Sequence, residues 1–315
     1  MQIKRQINAA SVALALFVMA TIHSVSTALA GGDTNPPPAT KTQYKFTTID
    51  IDGAVLPYPF AINDDGWVSG FYSDTNGYFH GFLWRKGTTT VIDAPGKWLD
   101  TYLGAMNNEG VAIGNFDDDL TVSHAALFHM HAQTWKELPD IPGIPLNYGN
   151  GINNNGIAVG AAYQGTPTNS LDGVGWIWNG HTYSFIIVPT GVGTTTGTYP
   201  SAINDGGLVT GYYQDHENAY HGFLTRGGAI TSFDVPGSDA TFGYGINNAD
   251  DVVGPYNVGQ VPNGYIMHAG KFVTVNVPGA ASTALAAINN LGVLVGYSSD
   301  TNGNQTAFLA TPVER

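Results

Sequence analysis

Six short strings decide the reading of this chain: INDDGWVSG (Ile62–Gly70), MNNEGVAIG (Met106–Gly114), INNNGIAVG (Ile152–Gly160), INDGGLVTG (Ile203–Gly211), INNADDVVG (Ile246–Gly254) and INNLGVLVG (Ile288–Gly296). Each has Asn second and Gly seven residues later, and successive Asn residues are 44, 46, 51, 43 and 42 apart. Outward from each string the unit reads as four strands. The first runs into the Asn, where an Asn/Asp/Gly turn suits positive φ. The second is the apolar stretch after the turn. A polar loop leads to a third, such as HGFLWRKG (His80–Gly87) or HGFLTRGG (His221–Gly228), and the fourth ends in forms such as VIDAPG and SFDVPG. Short strands without a helical period, in units of ~40–50 residues, are the pattern of propeller blades.

The sixth unit ends after its third strand. FTTIDIDG (Phe46–Gly53), ahead of the first unit, has the form of the missing fourth strand; compare TSFDVPG (Thr231–Gly237). The expected fold is therefore all-β, a six-bladed propeller over residues 44–315, closed by pairing of the N-terminal strand with the last blade. Closure removes exposed sheet edges.

Composition fits. Of 315 residues 41 are Gly, and charged residues are 11% against about 25% in an average protein. With 43% apolar residues the chain is not disordered. Eleven Lys and Arg against 24 Asp and Glu leave a formal net charge of −13, which argues against a nucleic-acid partner. With no Cys, disulfides and thiolate metal sites are excluded. Residues 1–30 read as a signal peptide: Lys4 and Arg5, then an uncharged apolar run from Ala9 to Ile22, then Ala28-Leu29-Ala30 before cleavage. Residues 31–43 read as a flexible Pro-rich spacer. The expectation is a secreted or periplasmic monomer with no membrane span after cleavage.

The pattern A-I-N-x-x-G-x-x-x-G followed by H-x-F-L resembles the HAF family of bacterial extracellular repeat proteins over residues 44–313. The His-x-Phe part is intact at His80-Gly81-Phe82 and His221-Gly222-Phe223, altered at His124, and replaced at Val174, Asn263 and Thr306. The resemblance implies a propeller-like, extracellular repeat protein and brings no agreed activity or catalytic residue. Many members end in a sorting signal with a hydrophobic tail; FLATPVER differs, which implies release.

Residues recurring in every unit read as architecture. The six Asn should bond to their own turns, the six Gly should let strands approach between blades, and His80, His124 and His221 should pack with satisfied nitrogens. Four residues before the Ile or Met stand Tyr58, Tyr102, Tyr148, Tyr199, Phe242 and Ala284. The expectation puts these five aromatics around a channel mouth. The same face should receive Asp74, Asp117, Asp118, Asp119, Asp172, Asp215, Glu217 and Asp300 from the second-to-third-strand loops. The opposing expectation wedges the Tyr rings between blades. Rings beside carboxylates suit a carbohydrate, so the favoured function is non-enzymatic binding of an extracellular glycan by Tyr58, Tyr102, Tyr148, Tyr199, Phe242, Asp74, Asp118, Asp215 and Glu217.

Two other classes remain. A polysaccharide hydrolase or lyase would use loop carboxylates, or His216 and Tyr220. A structural or protein-interaction propeller would bind no small ligand. No nucleophile elbow, P-loop or dinucleotide fingerprint is present. His129-x-His131 forms a pair on one strand face without a third metal ligand. Asp50-x-Asp52-Gly53, Asp74-x-Asn76-Gly77 and Asp300-x-Asn302-Gly303 have Ca2+-compatible oxygens but no closing Glu, so ordinary turn chemistry is the better account. No resident metal or cofactor is expected.

Overall fold

A computed structural model describes residues 42–96, 100–117, 122–144, 146–163, 173–189 and 197–313, and all regular structure among them is β-strand. Residues 1–41, which hold the expected signal peptide and most of the expected spacer, and Asp118, Asp119 and Asp172 lie outside these residues. Each repeat folds back on itself. In the first, Leu56–Ile62, Val68–Ser73, Phe79–Arg85 and Thr88–Ile92 pair antiparallel in chain order, with Ile62 opposite Val68, Val68 opposite Trp84 and Arg85 opposite Thr88. The sheets hold four to eight strands. The eight-stranded one is the third and fourth repeats, linked by a single parallel pair, Gly173 with Gly197. In the sixth repeat Ser282–Ile288, Leu294–Ser299 and Gln305–Pro312 are completed by Tyr44–Ile49, with Tyr44 opposite Pro312 and Ile49 opposite Ala307. The Phe46 ring meets Phe308 edge-on at 5.4 Å across that pairing.

Burial follows position in the sheet. Val68–Ser73 is buried along its whole length, whereas the outer strand Thr88–Ile92 is mostly exposed. A strand covered on both faces reads as a continuous apolar run. Core clusters span repeats: Ile62, Val68, Phe82 and Trp84 pack with Ile49 of the N-terminal strand and with Ala287 and Val295 of the sixth repeat.

Every first strand breaks register once. Shifts lie at Pro59/Ala61, Leu103/Met106, Gly149/Gly151, Pro200/Ala202 and Leu285/Ala287, and the fifth repeat splits into Ala240–Thr241 and Gly245–Ile246. The bulge explains the motif Gly. A Cβ on Gly70, Gly114, Gly160, Gly211, Gly254 or Gly296 would collide with the carbonyl of Tyr58, Tyr102, Tyr148, Tyr199, Phe242 or Ala284 respectively. The close approach is therefore between the first and second strands of one repeat, which corrects the expectation that it lies between blades.

The motif Asn does more than cap its turn. Asn63 Oδ1 accepts the Trp67 N–H at 3.0 Å, as expected of an Asx turn. Its Nδ2 reaches the next repeat and donates to the Asn107 carbonyl at 3.3 Å. Asn107, Asn153, Asn204 and Asn247 do the same to the following Asn, and Asn289 donates to Asn63 at 3.0 Å. All six are at most 6% exposed. The neighbouring position forms a second belt: the N–H groups of Asp64, Asn108, Asn154, Asp205, Asn248 and Asn290 each donate to the side-chain Oδ1 of the next member, the last returning to Asp64.

Candidate functional site

The six first strands converge, so their two ends define two surfaces. At the Asn end a polar cavity of about 80 Å³ is lined by the two belts. Asp64 Oδ2 accepts the amides of Asn108 and Asn290, both at 2.7 Å, and Asp205 Oδ2 accepts those of Asn154 and Asn248 at 2.8 and 2.7 Å. Burial opposes ionisation of Asp205, but these hydrogen bonds outweigh it and hold its pKa below the usual carboxylate value. The surface is saturated with internal bonds.

The other end carries the aromatic positions. Tyr58, Tyr102, Tyr199 and Phe242 are 5%, 5%, 7% and 0% exposed, and Tyr148 is half-buried. Phe71 lies 5.2 Å from both Tyr58 and Tyr102, and Tyr212 lies 4.9 Å from Tyr199 and 5.1 Å from Phe242. Burial drives the phenols upward, Tyr58 to about 12. The expectation of up to five aromatics presented around a mouth is thereby corrected for Tyr58, Tyr102, Tyr199 and Phe242, and the opposing expectation of rings wedged between repeats is the one the packing meets. The rings face each other, because a bulged strand turns the aromatic inward against the residue after the motif Gly.

That residue decides where the surface is open. It is Phe71 in the first repeat, Tyr212 in the fourth and Tyr297 in the sixth, but Asn115 in the second and Ala161 in the third. Where it is small, a mainly apolar recess of about 50 Å³ remains. Its wall includes Tyr102, Tyr148, Tyr163, Tyr199, Asn115 and Asn150. Asn115 is held by both ends of its amide on Gly149, Oδ1 accepting the N–H at 2.7 Å and Nδ2 donating to the carbonyl at 3.4 Å. Gly104, also in the wall, occupies the bulge filled by Phe60 in the first repeat. Of the residues singled out from sequence, Tyr102, Tyr148 and Tyr199 meet at this recess, while Tyr58 and Phe242 do not line it. Asn115, Asn150, Ala161 and Tyr163 were missed. The size drop after the motif Gly is the signal that finds the first opening.

The acidic loop residues serve their own turns. Asp74 Oδ1 accepts the N–H groups of Asn76 and Tyr78, Asp215 Oδ1 those of Glu217 and Ala219, and Asp300 Oδ1 those of Asn302 and Asn304, all at 2.8–2.9 Å. In Asp74 and Asp215 burial opposes ionisation, yet these bonds and a neighbouring His keep the carboxyl below its ordinary value. In Asp300 the bond from the Asn304 side chain is the leading cause of the same depression. Asp117 is buried at a strand end, 2% exposed, rather than presented by a loop. Glu217 and His216 are exposed, and Tyr220 is buried with its phenol raised to about 12. Asp215 is therefore a poor proton donor and Tyr220 a poor base at neutral pH.

The motif His residues are partly exposed braces. His221 Nδ1 lies 3.0 Å from Asp234 and Nε2 3.1 Å from Asp215, and the ring stacks on Tyr213 at 5.1 Å. The bond to Asp234 leads in raising its pKa to about 9, against the opposing effect of burial. His80 repeats the arrangement with Asp93 and Asp74 at 3.1 and 3.8 Å. His124 Nδ1 lies 2.8 Å from Glu137, and Asp140 lies close enough that one ligand atom from each of the three falls within 4.8 Å of the others. The strand Ser123–His129 ends at His129, and His131 sits in the following turn, so the two do not share a strand face.

No protein-family model and no curated protein sequence matches the chain. Among solved structures it is similar to the β-propeller domain of the Trilobed protease from Pyrococcus furiosus (TM-score 0.53, 11% identity, covering 84% of this chain and 81% of that one). It is similar to AofleA from Arthrobotrys oligospora (TM-score 0.53, 10% identity, 90% and 95% covered). It is also similar to a gluconolactonase from Xanthomonas campestris (TM-score 0.53, 13% identity, 92% and 99% covered). At these identities the likeness is one of fold, that of a β-propeller. No helix among the described residues is long and apolar enough to cross a membrane.

Proposed function

We propose that this chain is a secreted, closed six-bladed propeller of the HAF type, working as a monomer that binds an extracellular carbohydrate at the recess beside Asn115 and Ala161. The observation that carries the reading is the recess itself. Three of six repeats fill the position after the motif Gly with an aromatic ring, and two adjacent repeats leave it open beneath Tyr102, Tyr148 and Tyr199. An apolar hollow edged by phenols and amides suits a saccharide substituent, with the sugar ring remaining at the rim. The closed ring is supported by the pairing of Tyr44–Ile49 with the last repeat and by the Asn belt that returns to Asn63. Secretion is supported by the signal-like residues 1–30.

The test is a polysaccharide binding screen of the purified chain beside Ala161→Tyr, which restores the residue type of the fourth repeat and fills the recess. Saturable binding lost in Ala161→Tyr supports the reading. No binding to any glycan removes it, and release of reducing ends or unsaturated products moves the protein to a hydrolase or lyase.

A further inference from the structure

The wall of the recess holds a buried hydroxyl that the fold leaves unanswered. Tyr102 is 5% exposed, and its buried Oη has no hydrogen-bond partner. Leaving a buried hydroxyl unpaired is unfavourable, so its retention points to a ligand atom that meets it. Across the wall, Asn150 Nδ2 donates to the Pro200 carbonyl at 2.9 Å, while its Oδ1 accepts none of the described hydrogen bonds. Asn115, the other amide of the wall, is occupied at both ends by Gly149. The recess of about 50 Å³ thus offers the unpaired Tyr102 hydroxyl and the Asn150 Oδ1 acceptor in a mainly apolar wall that also carries Tyr148, Tyr163 and Tyr199.

That inventory discriminates among sugar substituents. A hydroxymethyl group can accept from Tyr102 and donate to Asn150 Oδ1, but its single CH2 leaves the apolar floor unfilled. A carboxylate would enter without a cation to meet it. An acetamido group matches each element: its carbonyl accepts from Tyr102, its N–H donates to Asn150 Oδ1, and its methyl fills the carbon-lined floor. Resting on the carbohydrate reading above, we infer that the recess takes the acetamido group of an N-acetylhexosamine.

The experiment titrates the purified chain calorimetrically with di- and tetrasaccharides of N-acetylglucosamine, and with the matched glucosamine and glucose oligomers. Tyr102→Phe and Ala161→Tyr are titrated beside it. The expected result is binding of the acetylated series at least about tenfold tighter than either unacetylated one. Tyr102→Phe should lose about tenfold towards the acetylated series alone, and Ala161→Tyr should lose binding altogether. Equal affinity for all three series, abolished by Ala161→Tyr, overturns the acetamido assignment and leaves the carbohydrate site standing. Binding indifferent to Ala161→Tyr overturns the recess as the site. Silence towards all three series overturns the acetamido assignment too, and the wider glycan screen then judges carbohydrate binding separately. Thermal unfolding of both variants confirms that a lost titration comes from folded protein.

Discussion

The side-chain amide of Asn289 donates to the backbone carbonyl of Asn63 at 3.0 Å, although 226 residues separate them. The same side chain accepts the N–H groups of Leu291 and Val293 on its Oδ1. One residue thus fixes a local turn and joins the two ends of the repeat array. Asn289→Ala leaves several buried groups unpaired and should cost about 3 kcal/mol in urea unfolding. Asn289→Asp keeps the turn acceptor and replaces the donor to Asn63 by a carboxylate oxygen that its carbonyl repels. If the two variants lose equal stability, the bond between the ends dominates; if Asn289→Asp matches wild type, the bond to Asn63 contributes nothing.

Motif glycines and turn glycines should respond differently to alanine. Gly254→Ala drives a methyl into the Phe242 carbonyl, and no flexible side chain can give way. The expected loss is about 3 kcal/mol or more. Gly156 has φ of +74° with nothing within 4 Å of a new Cβ, so Gly156→Ala meets backbone strain alone, about 1 kcal/mol. Chemical denaturation of both variants checks the ranking, and equal losses would contradict the packing account.

The His221 brace gives alkaline sensitivity. Its folded pKa of about 9 lies above its ordinary value of 6.5, so its contribution is complete below pH 6.5 and disappears as pH rises through 9. With His221 and Asp215 each 25% exposed and Asp234 47% exposed, solvent screening reduces the effect to about 1 kcal/mol. Melting temperature should fall across that window and should fall less in His221→Gln. Asp215 acts at the other end: its depressed pKa adds stability above pH 3.8 that is lost as pH drops through the folded value. A melting curve flat from pH 6.5 to 9.5 would show that the brace is not closed in solution.

Tyr102→Phe should leave the free protein as stable as wild type or stabilise it by up to about 1 kcal/mol, because it deletes a buried hydroxyl without a partner. A marked loss of stability in the urea midpoint would reveal a structural acceptor for that hydroxyl and undercut its assignment to a ligand.

The repeat boundaries and the strand alternation were legible in the sequence because the Asn and Gly sit at a fixed interval in every unit. The pairing of Tyr44–Ile49 with the last repeat was legible because Phe46–Gly53 shares the form of a fourth strand. The aromatic positions were found, and of the two expectations for their rings the packing between repeats is the one met. A bulge in each first strand, invisible to a period-two reading, turns Tyr58 and Tyr199 onto Phe71 and Tyr212. The same bulge moved the role of Gly114 from a contact between repeats to one beneath the Tyr102 carbonyl. The recess was hidden for a different reason. The shared pattern says nothing of it, because the opening is made by Asn115 and Ala161, where two repeats differ.

The belt of Asp64, Asn108, Asn154, Asp205, Asn248 and Asn290 carries a constraint on copy number. Each carboxylate satisfies the two amides beside it, and every amide stands beside one carboxylate. Insert one more Asn-bearing repeat and an amide is stranded; insert one more Asp-bearing repeat and two anions compete for a shared donor. Growth or shrinkage compatible with this chemistry therefore comes in steps of three repeats. The two halves of the array, each opening on an Asp, are the smallest pieces by which the belt could change size.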